Sequence, residues 1–141
     1  MTCILRAGGL NFDVDDFIEK SSLSADSLWR KGEKRFPRSN SSEEINNSSG
    51  IRVVASEADF SELSQQIEDV IVFLRQNLES VKALASFPGV DGAVLDFGAE
   101  IYPPGWASFT FPAELLRLAG SAGVSLCLSV YPTDTEGETD V

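Results

Sequence analysis

Carboxylates are the main residues of this sequence that could do chemistry, because the chain has 22 acidic residues and no histidine. Without an imidazole, the usual general base of serine and cysteine nucleophiles and the commonest transition-metal ligand are both missing. The two thiols, Cys3 and Cys127, lie in apolar alternating segments, where a cysteine usually behaves as a small buried hydrophobe. We therefore predict no catalytic residue, no cofactor and no disulfide.

One acidic cluster, Asp13, Asp15 and Asp16, has the residue types of a calcium or magnesium site. It lacks the spacing and the terminal glutamate of a calcium-binding loop. The three acids instead fall in the first turn of a predicted helix, where they oppose the positive end of the helix dipole. The structural explanation is favoured, and we predict no metal site.

A second group of carboxylates follows one predicted strand, which contains Asp91 and Asp96 and is succeeded by Glu100. Hydrolysis by two carboxylates needs a defined separation between them, which a sequence does not supply. A small-ligand-binding or carboxylate-based enzyme domain, with its site near Asp96, Glu100 and Trp106, is therefore the alternative to a purely interacting protein.

A basic arm, residues 29–38, contains five of the eleven cations of an otherwise acidic chain. One aromatic residue among several cations is a pattern that contacts phosphate or single-stranded nucleic acid, which is a second alternative function. The favoured interpretation is that these cations pair with the protein's own carboxylates. The candidate partner-binding residues of this arm are Trp29, Arg30, Lys31, Lys34 and Arg35.

An aromatic stretch, residues 102–111, contributes Tyr102 and Trp106 as further candidates for partner binding, together with Asp96 and Glu100. Exposed aromatic side chains carry much of the binding energy of protein interfaces. Packing at the edge of the core is the competing interpretation, and we favour it.

The net charge of −11 disfavours binding of nucleic acid or anionic membrane by the surface as a whole. No apolar run approaches the ~20 residues that span a bilayer, and Arg6 interrupts the short apolar start. We expect a cytoplasmic protein whose partner, if it has one, is basic.

The pattern of apolar residues predicts alternating strands and helices. In chain order these are strand 3–7, helix 13–19, an irregular arm 24–35, a mobile Ser/Asn-rich loop 38–50, strand 50–55, helix 59–84, strand 91–99, a helix opened by Pro112 and strand 124–131. The long helix has two capping-box patterns near Asp59, a bend expected at Asn77 and a stop at Pro88. Leu115, Leu116 and Leu118 are expected to point inward from the last helix.

These elements predict an α+β fold, a two-layer sandwich in which helices lie on one face of a small mixed sheet of about four strands. A parallel α/β sheet is the competing architecture. The alternation of serine with apolar residues in the last strand favours the sandwich, because a fully covered parallel sheet reads as continuously apolar. We expect one domain, residues 1–131, followed by an acidic tail, residues 132–141.

Four segments together resemble a bacterial family known as domain of unknown function 4279. They are residues 8–13, 29–33, 111–116 and 128–131, with the long helix between them, and the resemblance covers nearly the whole chain. A Ser/Asn-rich insert after residue 33 departs from the family pattern. The resemblance implies an α+β fold and a small acidic domain of the kind that accompanies bacterial toxins as a candidate immunity protein.

The expected function is therefore a non-enzymatic acidic interaction protein, such as an immunity protein that binds and neutralises a basic toxin domain. Charge complementarity would accelerate and orient such docking.

Overall fold

A computed structural model describes residues 3–36, 38 and 43–133, and these build one five-stranded mixed sheet and three helices. The strands are β1 (Cys3–Gly9), β2 (Ser27–Trp29), β3 (Ser49–Ser56), β4 (Gly92–Ile101) and β5 (Ser125–Pro132). The helices are α1 (Val14–Lys20), α2 (Leu63–Ala85) and α3 (Ala113–Ala122). The predicted α+β class is confirmed, with one strand more than expected.

The sheet has the order β2-β3-β1-β4-β5. Three neighbouring pairs are antiparallel, and β5 pairs parallel with β4 after the chain has crossed over through α3. Successive side chains of a strand point to opposite faces, so the alternating burial of β1 assigns one face to the core. The core face carries Cys3, Leu5 and Ala7, while Arg6 points to the other face.

The helices pack their apolar sides on that core face. Four side chains of α2, Val70, Leu74, Val81 and Leu84, are fully buried there, as their helical spacing predicts. A cluster of three phenylalanines, Phe12, Phe17 and Phe87, joins α1 to the segment after α2 with ring centroids 5.3–6.1 Å apart.

Strand β2 is the element that the sequence analysis missed, because residues 24–35 were expected to be irregular. Its three residues pair antiparallel with β3 in the register Ser27 to Arg52 and Trp29 to Gly50. A strand of three residues is too short to show a period of two. It forms because the edge of β3 offers hydrogen-bonding partners that are distant in sequence.

Helix α2 begins later than predicted, at Leu63, and neither predicted capping box forms. The Asp59 side chain accepts a hydrogen bond from the N–H of Phe60 instead, and the Glu62 N–H donates to the Asp59 carbonyl. Residues 57–62 are held as a turn because Phe60 is stacked against Tyr131 of the sheet. The expected bend is confirmed, since Asn77 has non-helical backbone angles within the helix.

Helix α3 follows Pro112, which stands one position before the helix rather than at its first residue. Gly123 ends the helix in the left-handed conformation, with φ of 79°. Leu115 is buried, but Leu116 is 51% exposed, so the expectation that it points inward was wrong. Adjacent positions of a helix, such as Leu115 and Leu116, do not lie on the same face.

The predicted loop over residues 38–50 is shorter than expected, because Ser49 and Gly50 belong to β3. Before them, residues 44–46 lie antiparallel to the basic arm, and the Arg35 N–H donates to the Glu44 carbonyl over 2.8 Å. Residues 39–42 of the loop, and 134–141 of the predicted tail, lie outside the described part of the chain.

Candidate functional site

The second face of the sheet, here called the open face, carries the polar side chains of the strands. The buried side chains of all three helices join the core on the opposite face. Alternation and register place on the open face Arg6, Gly8, Trp29, Gly50, Arg52, Val94, Asp96, Cys127, Ser129 and Tyr131. Candidate residues from two distant parts of the sequence, Trp29 and Asp96, therefore share one surface.

Asp96 lies at the centre of a polar network on this face that links three strands. Its Oδ2 accepts a hydrogen bond from Arg6 Nη1 over 3.1 Å, and its Oδ1 accepts one from the Ser129 hydroxyl over 2.7 Å. Both carboxylate oxygens are thus engaged, and the hydroxyl donates its proton towards a carboxylate that already pairs with a guanidinium. This arrangement fastens β1, β4 and β5 together and offers no activated nucleophile.

The backbone positions of Asp96 and Glu100 are farther apart than the carboxylates of a glycosidase pair. They point to the same face of β4 but lie four residues apart, which is about 13 Å along an extended strand. Two carboxylates that act on one glycosidic bond lie about 5–9.5 Å apart. Glu100 moreover accepts a hydrogen bond from the Tyr102 hydroxyl over 2.6 Å, away from Asp96.

The predicted aromatic stretch is divided between core and surface. Phe111 packs on buried Phe97 with a centroid distance of 5.3 Å, which agrees with the favoured core interpretation. Trp106, in contrast, is 77% exposed and Tyr102 is 45% exposed, so for these two residues that interpretation was wrong. The loop after β4 presents them to solvent because it extends past the end of the sheet.

A stacked pair of rings lies next to this loop. Phe60 and Tyr131 are nearly parallel, with centroids 4.5 Å apart, and Tyr131 is 46% exposed. The Phe60 carbonyl accepts a hydrogen bond from the Glu100 N–H, which fixes the turn to β4. We call this region the acidic aromatic end. It comprises Phe60, Glu100, Tyr102, Trp106 and Tyr131, with the exposed acids Glu57, Asp59 and Glu62 of the turn.

The basic arm is largely tied to the protein itself. Arg30 binds Asp15 of α1 through two nitrogens, with distances of 2.8 and 3.0 Å, and Arg35 lies 3.4 Å from Glu44. Lys31 donates to the Leu10 carbonyl over 3.4 Å. These contacts match the interpretation that the arm neutralises the protein's own carboxylates. Lys31, Lys34 and Arg38 are exposed, and within the described residues none of the three pairs with a carboxylate.

The bidentate pair alters the acidity of both partners. The hydrogen bond from Arg30 holds the pKa of Asp15 below its ordinary value, and the Asp15 carboxylate raises the pKa of Arg30. A carboxyl group with a depressed pKa stabilises the fold at higher pH and loses that contribution as the pH falls through its folded-state pKa. The contribution is small here, because the Asp15 side chain is well exposed to solvent.

Replacing Arg30 by glutamine is expected to raise the pKa of Asp15 towards its ordinary value, since the cation that favours the carboxylate is removed. An NMR titration of the side-chain carboxyl carbon measures this shift. The change Lys20→Gln is the control, because Lys20 pairs with the neighbouring Asp16 and leaves Asp15 unaffected. Identical Asp15 titration in the Arg30 variant and the unmodified protein would contradict the assigned pair.

The two cysteines are both free and lie on opposite faces of the sheet. Cys3 of β1 is aligned with Phe97 of β4, and Cys127 of β5 is aligned with Asp96 of β4. Strand β4 therefore separates the two strands that carry the cysteines. Burial, and secondarily the charge of Asp96, raise the pKa of the Cys3 thiol, so that it stays protonated and unreactive.

Sequence reasoning missed Arg6 and Arg52 as site residues. Their signal was a cation within an otherwise apolar alternating strand, which marks a strand face that is not core. Within residues 3–36, 38 and 43–133, no group of three or more Asp, Glu or Cys side chains is placed to hold a metal ion. None of the described helices is long and apolar enough to span a bilayer.

Comparisons of the chain with protein-family models, with characterised proteins and with solved structures find no match. The family resemblance therefore stays a prediction, and a functional proposal depends on the chemistry of the surfaces described above.

Proposed function

We propose that this chain is a non-enzymatic binding protein that docks a basic protein partner on its acidic aromatic end. The observation that supports this most directly is the 77% exposure of Trp106, in the loop that also carries the exposed Tyr102. Tryptophan and tyrosine are the residues most enriched among the hot spots of protein interfaces, since a rigid ring buries a large area at low entropic cost.

The neighbouring edge of the sheet supports a protein rather than a small-molecule partner. Strand β5 has eight residues and none of them is charged. Within the described residues only β4 pairs with it, so its outer row of backbone groups faces solvent. An extended segment of a partner can add to such an edge by main-chain hydrogen bonds.

The charge of the chain determines the chemistry of the partner. With a net charge of −11, the protein attracts a basic surface over long range and repels an acidic one. The acids of the turn, Glu57, Asp59 and Glu62, place part of that charge next to the exposed rings. Together with the family resemblance, this favours an immunity-type role in the bacterial cytoplasm, in which the chain neutralises a basic toxin domain.

Affinity capture with the immobilised chain from extracts of its native cells tests the proposal, followed by titration calorimetry with the purified partner. A basic polypeptide is expected to bind at low ionic strength and to bind more weakly as salt is added. The change Trp106→Ala is expected to weaken binding at least about tenfold, as for a hot-spot residue. Growth rescue on co-expression with the partner then tests neutralisation.

Val72→Ala is the matched control, because Val72 is also an exposed apolar residue but lies on α2, away from the acidic aromatic end. It should leave the affinity unchanged. The proposal fails if the captured partner is acidic. It also fails if the partner binds the unmodified protein and the Trp106 variant with the same affinity, because this surface is then not the docking site.

A further inference from the structure

A row of three glycines crosses the open face at the end opposite to the acidic aromatic end. Gly50, Gly8 and Gly92 are directly aligned on β3, β1 and β4. The Trp29 ring covers the first two of them, whereas a Cβ built on Gly92 meets no atom within 4 Å. Beside the ring lies a depression of about 290 Å³ whose floor is the uncovered backbone at Gly92, and it is lined by Arg6, Ala7, Gly8, Trp29, Arg52, Gly92 and Val94.

Two arginines stand side by side at this depression. Arg6 and Arg52 are directly opposite each other in the antiparallel register of β1 and β3. Like charges in that position destabilise a sheet. The pair is unexpected in a chain with twice as many acids as bases, unless an anion lies between or beside the two guanidinium groups.

Within the described residues, the protein's own carboxylates neutralise only one of these two arginines. Arg6 pairs with Asp96. Arg52 lies over the Trp29 ring at 4.5 Å from its centroid and has no carboxylate partner in the part of the chain that the structure describes. Asp26, which precedes β2, is engaged by the N–H of Val54 at 2.7 Å. The guanidinium group of Arg52 is thus held in place by stacking on Trp29, while its N–H donors stay available.

We propose that this depression binds a small ligand through a carboxylate or phosphate group, with Arg52 as the main contact and Arg6 as a second one. A guanidinium donates two parallel hydrogen bonds to either oxyanion. The glycine floor lets a flat group lie against the backbone beside Trp29. The volume is at the lower limit of ligand sites, which restricts the ligand to about the size of a substituted single ring.

Fluorescence of Trp29 tests the site directly. The chain has two tryptophans, so Trp106→Phe leaves Trp29 as the sole indole fluorophore. In this background, benzoate and phenyl phosphate are titrated separately, and neutral benzamide is the matched uncharged probe. We expect a saturable change with at least one anion and none with benzamide, and the anion that binds tighter identifies the ligand as carboxylate or phosphate.

Two variants test the site by different means. Arg52→Gln is expected to weaken binding of the anion at least about tenfold, because charge-assisted hydrogen bonds are lost. Gly92→Val leaves both charges in place but fills the depression, and it is expected to abolish binding. Arg117→Gln, an exposed arginine on α3, is the control and should bind like the background protein.

Circular dichroism and thermal melts establish that each variant is folded. Absence of saturable binding by both anions, equal binding of benzamide, or an unchanged affinity of the Arg52 variant overturns the site. None of these results affects the docking proposal, which depends on Trp106 and the other end of the sheet.

Discussion

Replacing Gln66 by leucine is expected to lower the free energy of unfolding by about 3 kcal/mol, because two buried backbone groups lose their partner. Gln66 is fully buried. Its Nε2 donates to the Gly98 carbonyl over 2.8 Å, and its Oε1 accepts from the Gly98 N–H over 3.1 Å. Among the described residues the pairing of β1 with β4 reaches only to Phe97, and the Gln66 amide bonds the backbone of Gly98, the next residue of β4.

The same amide holds the turn before α2, since Nε2 also donates to the Asp59 carbonyl over 2.9 Å. The leucine variant should therefore expose Phe60 and the amide of Glu100 to solvent as well. Urea denaturation measures the loss of stability, and hydrogen exchange of the Gly98 and Glu100 amides localises it. The neighbouring change Gln65→Leu is the control, because the Gln65 side chain is exposed and its one hydrogen bond within the described residues is to Asp69.

Ordinary surface substitutions change the free energy of unfolding by up to about 0.5 kcal/mol. A change no larger than this in the Gln66→Leu protein would contradict the role of Gln66. It would mean that water satisfies the Gly98 backbone groups.

Replacing Gly50 by alanine is expected to cost about 2 kcal/mol, which is within the range for overpacking of a filled site. A Cβ at this position would lie 2.6 Å from the Ala7 carbonyl oxygen and closer still to the Trp29 ring. Backbone cannot move away without breaking the register of β1 and β3, so the ring must move. Since β2 pairs only with β3, the displacement should loosen β2 and the stacking of Arg52.

Thermal melts give the change in stability, and the emission of Trp29 in the Trp106→Phe background reports the displaced ring. Gly92→Ala is the matched control from the same glycine row, because its Cβ meets open space. That change should be neutral or stabilising by up to about 1 kcal/mol, because alanine lowers the conformational entropy of the unfolded chain. Equal effects of the two alanines would show that the row is not packed as described.

The two proposed binding surfaces lie on opposite ends of one sheet face and have opposite charge. The acidic aromatic end would hold a basic partner, and the Arg6 and Arg52 depression would hold a small anion. Asp96 lies between them and pairs with Arg6, so neither surface includes the other's main contact residue. We therefore expect Trp106 and Arg52 variants to affect the two binding activities independently.

Local patterns were sufficient for most of the elements. The spacing of Val70, Leu74 and Val81 predicted the long helix and its buried face, and the alternation in residues 124–131 predicted β5. The start of α2 was placed too early, because Asp59 satisfies a capping pattern that a tertiary contact of Phe60 overrides. Strand β2 had no local signal, because its pairing with β3 alone defines it.

The sites were less accessible to sequence reasoning. It identified Trp106 and Tyr102 as aromatic residues that were either core or surface, and only the packing of the loop after β4 decided for the surface. It named Trp29 and Asp96 but could not place them on one face. Arg6 and Arg52 were missed, because their significance depends on a register between strands about 46 residues apart in the chain.

The sequence by itself determined the class of fold and the limits of the chemistry. Periodicity is a property of consecutive residues, and the absence of histidine and the charge of −11 are properties of composition. Tertiary structure alone decided which cations are neutralised, since Arg30 pairs with Asp15 while Arg52, among the described residues, contacts the Trp29 ring and no carboxylate. It also decided that three separate glycines lie in one row, because alignment across strands is set by the pairing of distant segments.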